Sequence, residues 1–432
     1  MERANEVSHS LDATEFPAHY ARQWMTNVAN SVKYDGISPP VAARAYTYTS
    51  VALYESVVHG IPGARSLAGQ LNGLDALPLP AAGLAYDWPT VLAHTMDRLV
   101  RHELPGTVFV FPNRLFFEFT TFTQASLWIL GPTQIGYRRA AGVPPAVIDN
   151  SIAYADQLAD ALIPWVLADG YFAVRYKGYI PPEGPQYWAP TGFSDADKVA
   201  NPDEPNFGKV RTLVLAGPEE CEAPPPPPFS TDPSSAMYAE ANAVYQTDVN
   251  LTDPQIEIAR FWADGPRDTA TPAGHWVAIA TQFLRPKTLA EAVTGYAQTS
   301  LGYLDAFVSV WHTKYKYSLL RPETYIRRHI DPFWRPLLPT PQFPEYVSGH
   351  SAQSMAAAVL FTDTFGAGPF TDNTKLRRGF GPRSFASFTD AAFEASASRQ
   401  YGGIHYPVGN AEGRDMGVCV GNAVRDRVHF AL

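Results

Sequence analysis

Apolar residues recur at three- and four-residue steps along most of the chain, and strict alternation is almost absent. That pattern predicts helices rather than sheets. The clearest stripe spans 145–168, with Ile148, Ile152, Ala155, Ala159, Leu162 and Val166 on one face. Asp169-Gly170 closes it, and Pro164 predicts a kink in its last turn. Ser38 followed by Pro39 reads as an N-cap and first turn, with Val41, Ala45, Tyr48, Ala52 and Val58 roughly on one face before Gly60. Further helices are expected over 88–102, 115–130, 234–247, 276–284, 287–313, 351–365 and 387–401. Thr252-Asp-Pro-Gln255 matches a capping box, with Ile256, Ala259 and Trp262 or Ala263 inward. Residues 1–37 read as a leading arm with one apolar cluster around Trp24. No repeat is visible. The expected fold class is all-α, built as helical bundles.

Residues 61–88 are broken by Gly and Pro and read as loop. Residues 171–230 are aromatic, Pro-rich and non-periodic, and end in consecutive prolines at 224–228, which read as a stiff linker. The expected division is an N-terminal helical scaffold over 1–235 and a second bundle over 236–432. A chain of 432 residues, 46% hydrophobic and 17% charged, has material for a sizeable core. The net charge of −9 argues against a general nucleic-acid partner, which would need a basic face. A local cluster of cations therefore carries more meaning here than in a basic chain. No apolar run approaches the roughly 18 residues a membrane span needs. The N-terminus is too polar for a signal peptide, so the expectation is a soluble protein that stays in the cell or whose export signal has been removed. Cys221 and Cys419 leave one disulfide or two free thiols open.

Three short stretches carry the chemistry. On a helix, Lys314 and Arg321 sit two turns apart on one face, and Pro322 ends that helix; Lys316 would point away. Ser348-Gly349-His350 precedes a helix of small apolar residues. The orphan amides of that helix start would cradle an anion, and His350 would move a proton near neutral pH. Arg399 offers a planar fork to oxyanion oxygens, and His405 follows the Gly402-Gly403 turn. A histidine nitrogen aimed at a tetrahedral oxyanion is either a nucleophile or a ligand. Singly, each piece is matched by a solvated cation, a capping turn or a core histidine; together they point to an oxyanion site.

Lys, six residues, Arg-Pro; then Ser-Gly-His; then Ser-Arg, five residues, His resembles the signature shared by vanadium-dependent haloperoxidases and type 2 phosphatidic acid phosphatases, which include bacterial class A acid phosphatases. The resemblance covers 311–405. It implies that Lys314, Arg321, Arg399, Ser348 and the Gly349 amide hold vanadate or phosphate, with phosphate taking the site when vanadate is absent. His405 would bond the vanadium or attack phosphorus, His350 would be the acid–base group, and Lys314 would polarise the oxidant. Trp311 and Phe343 resemble aromatic residues on the halide side of the chloroperoxidase site, a lean toward chloroperoxidase-like chemistry. Trp262-Ala-Asp264-Gly265 resembles a segment in which the aspartate pairs with the last motif's arginine, here Arg399. His275 and His312 fall near these segments and are candidates to line the entrance. Two positions depart from the pattern. Val347 stands where a proline is usual. Gly409 stands where an aspartate usually orients the histidine ring, which leaves the basicity of His405 open. The implied activity is halide oxidation by hydrogen peroxide followed by halogenation of a small organic substrate, with a homo-oligomer left open. The alternative is a soluble acid phosphatase working through a phosphohistidine at His405.

Overall fold

The computed structural model describes residues 10–102, 121–191 and 202–431. In chain order the described helices are α1 (His19–Asp35), α2 (Pro39–Glu55), α3 (Trp88–Arg101), α4 (Thr121–Trp128), α5 (Leu130–Ala140), α6 (Pro145–Leu167) and α7 (Tyr171–Arg175). They continue as α8 (Ala236–Val249), α9 (Asp253–Phe261), α10 (Thr271–Leu284), α11 (Leu289–Tyr317) and α12 (Pro322–His329). The last three are α13 (Gly349–Phe365), α14 (Phe388–Tyr401) and α15 (Pro407–Arg427). One antiparallel pair, β1 (Phe370–Asp372) and β2 (Arg383–Phe385), sets Phe370 opposite Phe385. The fold is all-α, with this small hairpin as the exception among the described residues. Of the helix expected over 115–130, residues 115–120 lie outside the described residues.

The chain forms two compact units. The first comprises Met1–Asp169, Pro266–Leu301 and Arg425–Leu432; the second comprises Gly170–Gly265 and Gly302–Val424. In the first unit α2 packs against α1, α3 and α10, so it is buried on every side from Pro40 to Glu55 rather than along one stripe. Its two charges are satisfied internally. Arg44 Nε donates to Asp169 Oδ2 at 2.6 Å, with both side chains fully buried. Glu55 accepts from the Leu67 amide at 2.6 Å and Ser66 Oγ at 2.8 Å, and burial pushes it up to about 7. The expected leading arm is corrected by α1. Trp24 is fully buried and donates to Gln134 Oε1 at 3.0 Å, which anchors the segment as a core helix.

In the second unit α14 packs against α13, α9 and α8, and α8 also packs against α12. Glycines set the spacing of α15 from α13. A Cβ on Gly413 would stand 2.8 Å from the Ser348 carbonyl oxygen, and one on Gly421 would stand 2.7 Å from Val359 Cβ. The two helices thus meet backbone to backbone. Asp305 on α11 is fully buried and accepts from the amides of Leu213, Val214 and Leu215 at 2.6, 2.8 and 2.9 Å. Cys221 and Cys419 form a disulfide, which settles the alternative left open above. The prolines at 224–228 belong to this unit, and the Pro224 carbonyl accepts from Tyr346 Oη at 2.6 Å.

Candidate active site

Four segments of the second unit deliver the side chains. The last turns of α11 carry Trp311 and Lys314; that helix ends at Tyr317, so Arg321 is not two turns along it as expected but the N-cap residue of α12, which Pro322 opens rather than ends. The turn before α13 carries Phe343, Glu345, Ser348, Gly349 and His350. Arg399 stands on the last turn of α14, and His405 follows Gly403, whose φ of 74° needs a residue without a Cβ. Lys314, Arg321, Arg399, Ser348, Glu345 and His405 are all buried, while His350 is partly exposed.

Backbone carbonyls hold the cations in place. Lys314 Nζ donates to the carbonyls of Pro344 and Glu345 at 3.0 and 2.8 Å. Arg321 Nε donates to Phe343 O at 2.8 Å and Nη1 to Ile404 O at 2.9 Å. Arg399 donates from Nη2 to Trp262 O at 2.6 Å and from Nε to Ser398 Oγ at 2.9 Å. Phe343 lies between two of them, with Arg321 Cζ 4.8 Å and Lys314 Nζ 5.1 Å from its ring centre. Its ring is 5.0 Å from that of Trp311, whose Nε1 donates to Asp203 O at 3.1 Å.

Asp264 is placed otherwise than expected. Its carboxylate takes a bond from Lys375 rather than from Arg399, and it reaches Arg399 through its charge alone. Carbonyl oxygens, not a carboxylate, anchor Arg399. His275 is buried in the first unit, on α10. His312 lies 3.8 and 3.9 Å from carboxylate oxygens of Glu219 and Glu222.

His405 is held at both ring nitrogens. Its Nδ1 is 2.6 Å from Glu345 Oε1, and its Nε2 is 3.2 Å from Arg321 Nη1. A guanidinium has only donors, so Nε2 presents its lone pair and Nδ1 carries the proton. Burial takes His405 well below its ordinary 6.5, and Arg321, Lys314, Arg399 and His350 push the same way. The imidazole is therefore neutral, with its lone pair facing the cations.

The remaining groups show a shortage of negative charge. Burial takes Lys314 well below 10.5, and Arg321 adds to the shift. Burial also lowers Arg321 and Arg399 to about 10 each. Glu345 is pushed up to about 7 by burial, against the pull of Lys314 and Arg321. Arg321 Nη2 is buried with no hydrogen-bond partner, and the Gly349 amide at the start of α13 has no acceptor among the described residues. Ser348 Oγ accepts from Ser351 Oγ at 2.9 Å and from the Ser351 amide at 3.3 Å. Its own hydroxyl proton is left to donate. Unspent donors and repelling buried cations are the features of a pocket built for an oxyanion.

The family model described as VCPO second helical-bundle domain matches residues 295–432. Comparison with curated proteins gave no match. Among solved structures, a bacterial vanadium-dependent iodoperoxidase superposes with a TM-score of 0.85 at 33% identity, covering 96% of this chain and 97% of that one. The chain belongs to the vanadium-dependent haloperoxidases. Two structures of bacterial vanadium-dependent chloroperoxidase, apo and holo, share the fold at 14% and 15% identity, with TM-scores of 0.64 and 0.61. They cover 96% and 98% of this chain and 98% of each of those.

The donor set fits the vanadate that a vanadium-dependent haloperoxidase carries: one neutral histidine nitrogen, three cations, a free hydroxyl proton and a helix-start amide. Three partners in this haloperoxidase escaped the sequence reading. Lys375 and the Asp203 carbonyl come from segments with no motif. Glu345 sits inside Phe343-Pro-Glu-Tyr346, beside the Ser-Gly-His turn, and the one available signal was an acid near that turn paired with a missing acid at Gly409.

Proposed function

We propose that the protein is a vanadate-dependent haloperoxidase whose cofactor is held by Lys314, Arg321, Arg399, Ser348, the Gly349 amide and His405 Nε2. Bound vanadate supplies a Lewis-acidic centre that activates hydrogen peroxide toward halide without a change of metal oxidation state. The observation that carries the assignment is the neutral His405, its Nε2 lone pair turned to Arg321, whose buried Nη2 lacks an acceptor.

Each residue has a task of its own. The guanidiniums of Arg321 and Arg399 are fixed by carbonyls, so they meet an oxyanion preorganised, and only the Arg321 Nη1–His405 Nε2 bond is exchanged. Lys314 spends two donors on carbonyls and keeps a third, which places positive charge where oxygen must become electrophilic. His350, at the partly exposed edge of the set, exchanges protons between solvent and the site. Trp311 and Phe343 form an apolar wall that excludes water beside Lys314. The 33% identical relative, described as an iodoperoxidase, supports iodide as the halide over the chloride suggested by Phe343 alone.

The test is halogenation of a chromogenic phenol by purified protein with hydrogen peroxide and iodide, bromide or chloride, with and without orthovanadate. Turnover that requires both vanadate and halide, and is lost in His405→Ala, is expected. Phosphate-ester hydrolysis that vanadate inhibits, with no halogenation, would replace this reading with the phosphatase one.

A further inference from the structure

Position 409 is glycine where the related signature carries the aspartate that orients the histidine, yet the His405 ring is not left without a carboxylate. Glu345 Oε1 lies 2.6 Å from His405 Nδ1 and also accepts from the Tyr406 amide at 3.1 Å. The two positions compete for one space. A Cβ built on Gly409 would meet both carboxylate oxygens of Glu345, with Oε2 at 2.9 Å. A side chain at 409 would displace the Glu345 carboxylate from this position, and glycine is the residue that admits it.

The backbone of Glu345 is pinned as firmly as its carboxylate. Its amide donates to Leu319 O at 3.0 Å, and its carbonyl accepts from Lys314 Nζ at 2.8 Å. One residue thereby fixes both Lys314 and His405. We propose that Glu345 is the positioning residue of His405, a carboxylate relocated from the helix after the histidine to the turn before Ser-Gly-His, with Gly409 as the matching half of the exchange. A carboxylate at Nδ1 selects the Nδ1–H tautomer, aims Nε2 and raises its basicity as a ligand. The proposal rests on the haloperoxidase reading for the identity of the oxyanion, but not for the tautomer.

The experiment compares wild type, Glu345→Ala, Gly409→Asp and the Glu345→Ala/Gly409→Asp double variant. For each apo-protein, histidine ¹⁵N chemical shifts at one fixed pH report the His405 tautomer, and calorimetry with orthovanadate reports affinity. Glu345→Ala leaves the Nδ1–H tautomer to Arg321 at Nε2 alone, so it is expected to show a mixed tautomer population and to bind orthovanadate about 10- to 100-fold more weakly. Gly409→Asp alone, which forces two carboxylates into one space, is expected to lower the melting temperature. The double variant should restore the tautomer and bring affinity back to within a few-fold of wild type, a rescue that mere packing at 345 would not give.

Two results would overturn the exchange: Glu345→Ala with unchanged tautomer and affinity, or a folded double variant with neither restored. If neither alanine variant folds, Glu345→Gln decides, because it keeps the shape and the Tyr406 bond. About tenfold weaker orthovanadate binding supports the proposal, and unchanged binding refutes it. A wild type that shows the Nδ1–H tautomer but binds no orthovanadate would refute the haloperoxidase reading and leave the positioning role standing.

Discussion

Asp305 tests how the site is supported from behind. Its carboxylate gathers three consecutive amides, two of them on Oδ2 and one on Oδ1. The same loop region supplies the Asp203 carbonyl that accepts from Trp311 Nε1 and Tyr315 Oη. Asp305→Ala strands all three amides. Asp305→Asn, with its oxygen at the Oδ2 position, keeps Val214 and Leu215 and strands only Leu213. The variants thus differ by two buried acceptor bonds, so Asn should be the more stable by about 2–6 kcal/mol. The carboxylate's own ionisation cancels from that comparison.

It does not cancel against wild type. Burial raises Asp305 from 3.8 to about 6. A raised carboxyl contributes stability that is whole below 3.8 and is lost as pH climbs through about 6, on the order of 3 kcal/mol in all. The wild-type advantage over Asn should therefore shrink by about that much between pH 4 and pH 7. Urea denaturation followed by tryptophan fluorescence at several pH values measures both quantities. Ala and Asn variants within about 1 kcal/mol of each other, or a wild-type-to-Asn difference flat across that range, would refute the reasoning.

Three further outcomes are expected. Glu55, raised from 4.5 to about 7 by burial, loses its stabilising contribution as pH rises through that interval. Glu55→Gln should therefore melt higher than wild type at pH 8 and lose the advantage by pH 4.5, in paired calorimetric scans. Lys375→Met removes the buried cation bonded to Asp264 and should cost about 3–5 kcal/mol; Asp264→Asn/Lys375→Met should recover part of it, so a double-mutant cycle with no coupling would refute the pair. Orthovanadate at about 100 times its dissociation constant should stabilise the fold by roughly 2.7 kcal/mol, read as a higher melting temperature that is lost in His405→Ala.

Helices whose buried face has sharp edges were readable from the chain. The segments 145–168 and 88–102 emerge as α6 and α3 almost to the residue, and the Thr252 capping box forms as written. Periodicity misleads where burial has no edge or polar neighbours hide it. Helix α2 is enclosed on all sides, so its apparent stripe was a fraction of its buried surface. Helix α1 carries polar residues between Trp24, Val28 and Val32, and its anchor is a hydrogen bond to Gln134, more than a hundred residues away. The site divides in the same way. Residues proposed to touch an oxyanion were legible from type and order, because few side chains present a forked cation or a lone-pair nitrogen. Partners acting through them were not, because a carboxylate reaches one imidazole from many backbone positions. Asp264 and Glu345 are the two cases: the first pairs with Lys375, and the second occupies the space that a side chain at 409 would need.

That freedom has an electrostatic limit, and it explains why one carboxylate suffices. Lys314, Arg321 and Arg399 are each lowered by burial, so the empty pocket is destabilised in proportion to the charge it gathers. A second acid beside the cations would relieve that cost, but it would also accept the donors an incoming oxyanion needs and would repel it. Glu345 avoids the first effect. Its Oε1 is turned to His405 Nδ1 and the Tyr406 amide, on the far side of the ring from Arg321, and Arg321 Nη2 keeps no partner. The carboxylate therefore offsets part of the charge of Lys314 and Arg321 without taking the donor on Arg321 Nη2. On the proposed reading, the strain of burying like charges is relieved when an oxyanion enters, so the groups that burial destabilises would be the ones that bind it.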